Sequence, residues 1–159
     1  AKVLDDAAGR ITAMAAAQRI LYGTSDATRF NAGEFLDSVC GTVQQTFPPD
    51  VKIVRESADG ELDNDVAMPL ALILNELLTN AVKYGSSPEG ENLIRVGLTR
   101  HDDGFILYVE DSGPGFDLGP VGQQLSGLKL VQLLARQLSG HFEVSNKPFC
   151  RCSVQFSGR

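Results

Sequence analysis

Residues 75–85 read NELLTNAVKYG, and how this stretch folds decides the architecture of the chain. It lies in a Leu-rich segment, 66–84, with the spacing of a helix. At about 100° per residue, Leu70, Leu74, Leu77, Leu78 and Ala81 share one arc and should face a sheet. Glu76, Asn80 and Lys83 recur at i, i+4 and i+7 on a different arc, so their tips are near neighbours. Two readings of that trio are open. One is a solvated polar stripe. The other is a polyphosphate–metal site: an amide oxygen binds Mg²⁺ without adding charge, a lysine neutralises phosphate, and a carboxylate orients water, a metal ligand or a substrate proton.

Working outward, residues 2–22 carry Leu4, Ala7, Ala8, Ile11, Met14 and Ala15 in helical rhythm, with alanine suited to close helix–helix contact. GTSDATRF breaks the pattern, and a second helix fits 32–46, ended by Pro48-Pro49. VKIVRES (51–57) reads as a strand whose alternation is imperfect, and ADGELDND as a polar connection. LIRVGLTR and FILYVED form a hairpin through His101-Asp-Asp-Gly104. A helix at 128–138 and two strands, HFEVSN and CRCSVQF, close the chain. This order predicts an α+β sandwich: helices on one face of a mixed, mainly antiparallel sheet, preceded by a helix.

The 159 residues suit one domain with one core. With net charge −6 and no Lys/Arg run, a nucleic-acid partner is not expected. No apolar run approaches 18 residues and no signal peptide is visible, so a cytoplasmic, soluble piece is expected. Cys40, Cys150 and Cys152 are expected as reduced, small apolar residues. The start at Ala1 hints at a piece of a longer protein or a processed start.

Two further stretches carry chemistry. In VEDSGPGFD (109–117), Asp111 leaves an almost wholly apolar strand. It either starts a turn or accepts a hydrogen bond from an exocyclic amine such as that of adenine, with Gly113 and Gly115 letting backbone pass close to the base. It opens a 17-residue Gly/Pro-rich loop, 111–127, and such long loops are usually functional. In LSGLKLVQLLARQLSG (125–140), Gly127 precedes a helix whose Leu128, Val131, Leu134 and Ala135 face a core. Its first N–H groups suit phosphate oxygens; a plain helix entry capped by Ser126 is the alternative.

In this order the three stretches resemble the N, G1 and G2 boxes of the GHKL ATPase superfamily: NELLTNAVKY, DSGPGF and SGLKLV. Within it, the sequence is similar to the ATP-binding catalytic domain of a bacterial sensor histidine kinase, of a subclass related to the HWE kinases. The resemblance implies the Bergerat ATP-binding fold, an α/β two-layer sandwich, over residues 30–159, with 1–23 as the end of a dimerisation helix. It implies ATP and Mg²⁺ as cofactors. By motif, Asn80 would bind Mg²⁺, Lys83 would contact phosphate and Tyr84 would flank the nucleotide. Asp111 would read the adenine amine beside Gly113 and Gly115, and Gly127 and Leu128 would lie at the phosphate end of a lid. Glu76 occupies the position of the catalytic carboxylate. The implied partners are the dimerisation and histidine-phosphotransfer helices of a parent kinase, a response-regulator receiver domain, and a second copy through the N-terminal helix.

The sequence departs from the pattern in places. There is no Trp, so the W-x-E signature of the HWE subclass is absent, and Asn75 stands where that subclass has its box histidine. The second glycine box is reduced to Ser126-Gly127, and no phenylalanine box is apparent. Neither His101, in a predicted turn, nor His141, at a strand start, resembles a phosphoacceptor on a helix followed by an acidic residue. The acceptor is therefore expected outside this chain. Rival readings are an anti-sigma-factor serine kinase, a docking protein with a decayed site, and a gyrase- or Hsp90-like ATPase using Glu76 on water.

Overall fold

The structure, a computed structural model, describes residues 2–23, 28–84, 92–111, 126–145 and 150–157. Helix α1 (Lys2–Gly23) is followed by strand β1 (Arg29–Asn31) and helix α2 (Ala32–Gln44). Asn31 caps α2, its side chain accepting from the Glu34 N–H at 3.0 Å, which satisfies one of the donors a helix start leaves orphaned. Strands β2 (Val51–Ala58) and β3 (Glu61–Asp63) lead through a 3₁₀ turn at Asn64–Val66 into helix α3 (Ala67–Tyr84). Pro69 is tolerated in its first turn, where no intrahelical N–H is needed. The hairpin β4 (Asn92–His101) and β5 (Gly104–Asp111), helix α4 (Ser126–Gln137), β6 (His141–Ser145) and β7 (Cys150–Phe156) complete the fold.

Five strands form one sheet in the order β2-β4-β5-β7-β6. β2 runs parallel to β4, and the other three pairings are antiparallel. β1 and β3 form a separate two-stranded antiparallel sheet. The expected mixed, mainly antiparallel architecture is what forms. Alternation along the strands sends Ile94, Val96, Leu98, Leu107, Val109, Cys152 and Val154 to one buried side. On that side α2 packs over β2 and β4, α3 over β4 and β5, and α4 over β6 and β7.

Helix α1 adds a further layer, packing on α2 and α3. Its Ala13, Ala16 and Ala17 are wholly buried. Helix α3 is thus covered by helices on one side and the sheet on the other, which is why Leu70, Ile73, Leu74, Leu77 and Leu78 occupy more than one arc. Although Asn64–Lys83 is long and apolar enough by composition to cross a membrane, 67% of it is buried inside the fold, the mark of a core helix.

The other side of the sheet is polar. The Tyr108 hydroxyl donates to Glu56 Oε1 at 2.6 Å, and the Arg151 guanidinium lies 4.2 Å above the Tyr108 ring while pairing with Glu110 at 3.0 Å. Gly97, opposite Tyr108 on β4, leaves the space that the ring fills.

Candidate functional site

Four polar residues singled out in the sequence are placed by two elements. Helix α3 carries Glu76, Asn80 and Lys83, and β5 ends at Asp111. Glu76 and Asn80 are 7% and 6% exposed, so a solvated stripe does not describe these two, and Asp111 is 6% exposed at the end of its strand. Lys83 is exposed at the end of the same helix.

Asp111 shares the buried, helix-facing side of β5 with Phe105, Leu107 and Val109. Its register partners are Ile94 on β4 and Cys150 on β7. Cys150 and Cys152 lie on the same side of β7, and their mutual hydrogen bond, with burial and the neighbouring Asp111, pushes the Cys152 thiol strongly up. Burial, with Asp37 nearby, pushes the Cys40 thiol up to about 12. All three cysteines are free and buried, as expected.

Glu76 and Lys83 line a cleft of about 440 Å³ with Asn75 and Thr79 of α3, Ala8 and Gly9 of α1, and the Thr46–Pro48 connection. Asn80 is not on that wall; it lies about 40° round the helix from Glu76, on the side away from Asn75 and Thr79. The Glu76 carboxylate is not free: Oε1 accepts from Arg10 Nε at 2.6 Å. Arg10 was not singled out in the sequence. Its one local signal is a cation set among small residues of an Ala-rich helix, beside Gly9, Ala13, Ala16 and Ala17. Asn75 is buried with its amide against Gly9.

Asn80 offers a direct test of whether a ligand fits. Its Nδ2 is buried and has no hydrogen-bond partner among the described residues. Native interiors seldom tolerate an orphaned buried amide, and such a group calls for a missing partner. That orphan is an N–H donor and suits an acceptor such as a phosphate oxygen; Mg²⁺, which takes oxygen ligands and keeps several waters, would go to the Oδ1 of the same amide. Among the described residues no group of three or more His, Cys, Asp or Glu forms an all-protein metal cage.

Tyr84 ends α3, but its side chain lies outside the described residues, as do Gly113 and Gly115. Gly127 falls in the first turn of α4, and the Leu128 side chain is 2% exposed, within the core. Leu128 therefore offers a ligand only its backbone.

Residues 65–157 match the family described as histidine kinase-, DNA gyrase B- and HSP90-like ATPase. The sensor protein VraS of Staphylococcus epidermidis is 24% identical over 116 residues, covering 73% of this chain and 32% of VraS. VraS of Staphylococcus aureus gives the same identity and coverage. The chain thus spans about a third of the length of these curated relatives. Among solved structures, the histidine kinase domain of the Erythrobacter litoralis EL346 blue-light activated histidine kinase superposes with TM-score 0.75 at 18% identity, covering 97% of this chain and 80% of that one. The ATP-binding domain of PrrB from Mycobacterium tuberculosis superposes with TM-score 0.67 at 21% identity, covering 84% and 99% respectively. At such identities these superpositions establish the fold.

Proposed function

Because the chain belongs to the histidine kinase-, DNA gyrase B- and HSP90-like ATPase family, we propose that it binds ATP·Mg²⁺ between α3 and the segment that begins at Asp111, and supplies the γ-phosphate to a histidine on a helix outside this chain. The observation that carries the reading is the burial of Glu76, Asn80 and Asp111 in a mostly apolar core, with the Asn80 amide N–H left short of an acceptor.

The roles follow from the chemistry of each group. Asn80 would hold Mg²⁺, which when bound neutralises charge on the β- and γ-phosphates. Lys83, at the exposed end of α3, would contact phosphate, and Tyr84 would flank the nucleotide. Asp111 would accept from the adenine amine, with Gly113 and Gly115 beside the base. Gly127 and the Leu128 backbone would face phosphate oxygens at the start of α4. Glu76 would accept the proton or hydrogen bond of the attacking group. In the transfer, the acceptor nitrogen forms the new bond to phosphorus as the bond to the bridging oxygen breaks and ADP leaves.

His101 and His141 are poor acceptors on geometric grounds. His101 pairs with Gly104 at the opposite end of β5, seven residues and about 24 Å from Asp111. His141 pairs with Gln155, which pairs with Ile106, also toward that far end. The acceptor and dimerisation helices of a parent kinase would be the phosphorylated partner, in the cytoplasm, and a receiver domain would take the phosphate next. Helix α1 leaves Ile11 and Tyr22 exposed, apolar surface suited to a neighbouring helix, including that of a second copy.

Calorimetric titration of the chain with ATP, with and without Mg²⁺, tests the binding step; saturable, metal-dependent binding is expected, and none would overturn the reading. Incubation with γ-labelled ATP should leave the chain itself unlabelled. An added acceptor segment should gain acid-labile phosphate; acid-stable phosphate on serine would favour a serine kinase instead.

A further inference from the structure

Glu76 is separated from Arg10 by 66 positions, and their contact joins α1 to α3 at the carboxylate that the proposed reaction uses. The Glu76 side chain is 9% exposed and the Arg10 side chain 35%. A buried carboxylate with no cation beside it is costly, and an arginine partner fixes both its charge and its orientation. We propose that Arg10 is a positioning residue: from the leading helix it holds the Glu76 carboxylate in the one orientation from which it serves the acceptor of the γ-phosphate. The inference rests on the reading of Glu76 given above.

The packing around the pair is arranged to bring them together. Gly9 lies against the Asn75 side chain, where an added Cβ would stand 3.4 Å from Oδ1. Ala13, Ala16 and Ala17 are wholly buried, so α1 approaches its neighbours with no long side chain between. Two further contacts fix the helix against α2: Ser38 Oγ donates to the Ala16 carbonyl at 3.4 Å, and Arg19 Nη2 donates to Thr42 Oγ1 at 3.1 Å. With Arg10 on Glu76, α1 is fixed on both sides. The Arg10 head is therefore delivered to Glu76 by the seating of the whole helix, and a displacement of α1 along α3 would remove it.

The test is ATP turnover by the chain with water as acceptor: water oxygen bonds to the γ-phosphorus, the bond to ADP breaks, and phosphate release is read. Glu76→Gln sets the floor. Arg10→Ala is expected to lower kcat about tenfold or more with KM for ATP within about twofold. Arg10→Lys should recover most of the rate. On the Glu76→Gln background, Arg10→Ala should cost nothing further, because the two residues act as one unit. A merely structural role gives a different pattern: losses that add on that background, or that follow the folded fraction seen by circular dichroism. That pattern, an unchanged kcat in Arg10→Ala, or wild-type turnover already at the Glu76→Gln floor overturns the proposal while ATP binding stands. Failure of the wild-type chain to bind ATP overturns the parent reading, and this inference with it.

Discussion

Asp111 and Cys150 sit directly across from each other on β5 and β7, both buried on the side of the sheet that faces the helices. A carboxylate held at the buried end of an apolar strand, beside two thiols, is placed to accept from the amine of a ligand. In the proposed site that donor is the exocyclic amine of adenine. Guanine presents a carbonyl oxygen at the same position and would face Asp111 with repulsion. ATP should therefore bind and GTP should not. Asp111→Asn should weaken ATP by about ten- to a hundredfold, the scale of one hydrogen bond to a charged group, and narrow the gap to GTP. Competition against a fluorescent ATP analogue measures both. Equal ATP and GTP affinity in the wild-type chain would remove Asp111 from base recognition.

Asn80 gives an independent test at the other end of the nucleotide. Asn80→Asp keeps the shape but places a negative charge where phosphate oxygens are expected, in a site only 6% exposed. The Mg-dependent affinity for ATP should fall by about tenfold or more, since even 1.4 kcal/mol of added repulsion suffices. ADP, which lacks the γ-phosphate, should lose less. Titration of both nucleotides at fixed Mg²⁺ decides it, and unchanged affinities would exclude Asn80 from the phosphate end.

How much of this was readable beforehand depended on the range of the interactions. The α3 core arc and the closing strands are local patterns, and they form as expected. The hairpin forms as well, but its two turn residues are Asp102 and Asp103, with Gly104 already in β5 opposite His101. The imperfect alternation of 51–57 has two sources: Val54 is an apolar residue on the exposed side of β2, and beyond it the β2–β4 register shifts between Arg55 and Ser57, a bulge of the kind that breaks the period-two pattern. The pairing of Arg29–Asn31 with Glu61–Asp63 was also hidden, because three residues are too few to show a period and they lay in stretches read as breaks. The buried polar positions of α3 and β5 were legible as candidates from residue type and spacing. Arg10 was not, because its meaning comes only from the residue it meets across the fold.

The thiols predict an alkaline weakness. Burial raises the Cys40 pKa from 9.0 to about 12. The folded chain then keeps a proton that the unfolded chain releases above pH 9.0, so proton release favours unfolding. The stability this thiol provides is complete below pH 9.0 and is lost progressively up to about 12. Cys152, raised in the same direction, adds to the trend. The melting temperature should fall as pH rises through this window, and Cys40→Ala should fall less steeply than wild type. Identical slopes would show that Cys40 plays no part. At pH 8 the native thiols should also resist alkylation that goes to completion once the chain is unfolded.

Gly97 and Tyr108 provide a test remote from the site. A Cβ built on Gly97 would lie 2.2 Å from a Tyr108 ring carbon, closer than any real contact. The ring cannot simply swing away, because its hydroxyl is bonded to Glu56 at 2.6 Å and Arg151 covers its face at 4.2 Å. Gly97→Ala should therefore destabilise the sheet by about 1–3 kcal/mol, the range for overpacking. Tyr108→Ala removes the obstacle together with the Glu56 bond and the Arg151 contact. In the double variant the Gly97→Ala cost should largely vanish, leaving little more than the loss caused by Tyr108→Ala alone. ATP binding should be nearly unchanged in the folded fraction of each variant, because these side chains occupy the face opposite α3. Chemical denaturation of the two single variants and the double variant gives the coupling; strictly additive losses would mean that Gly97 is required for something other than room for the ring.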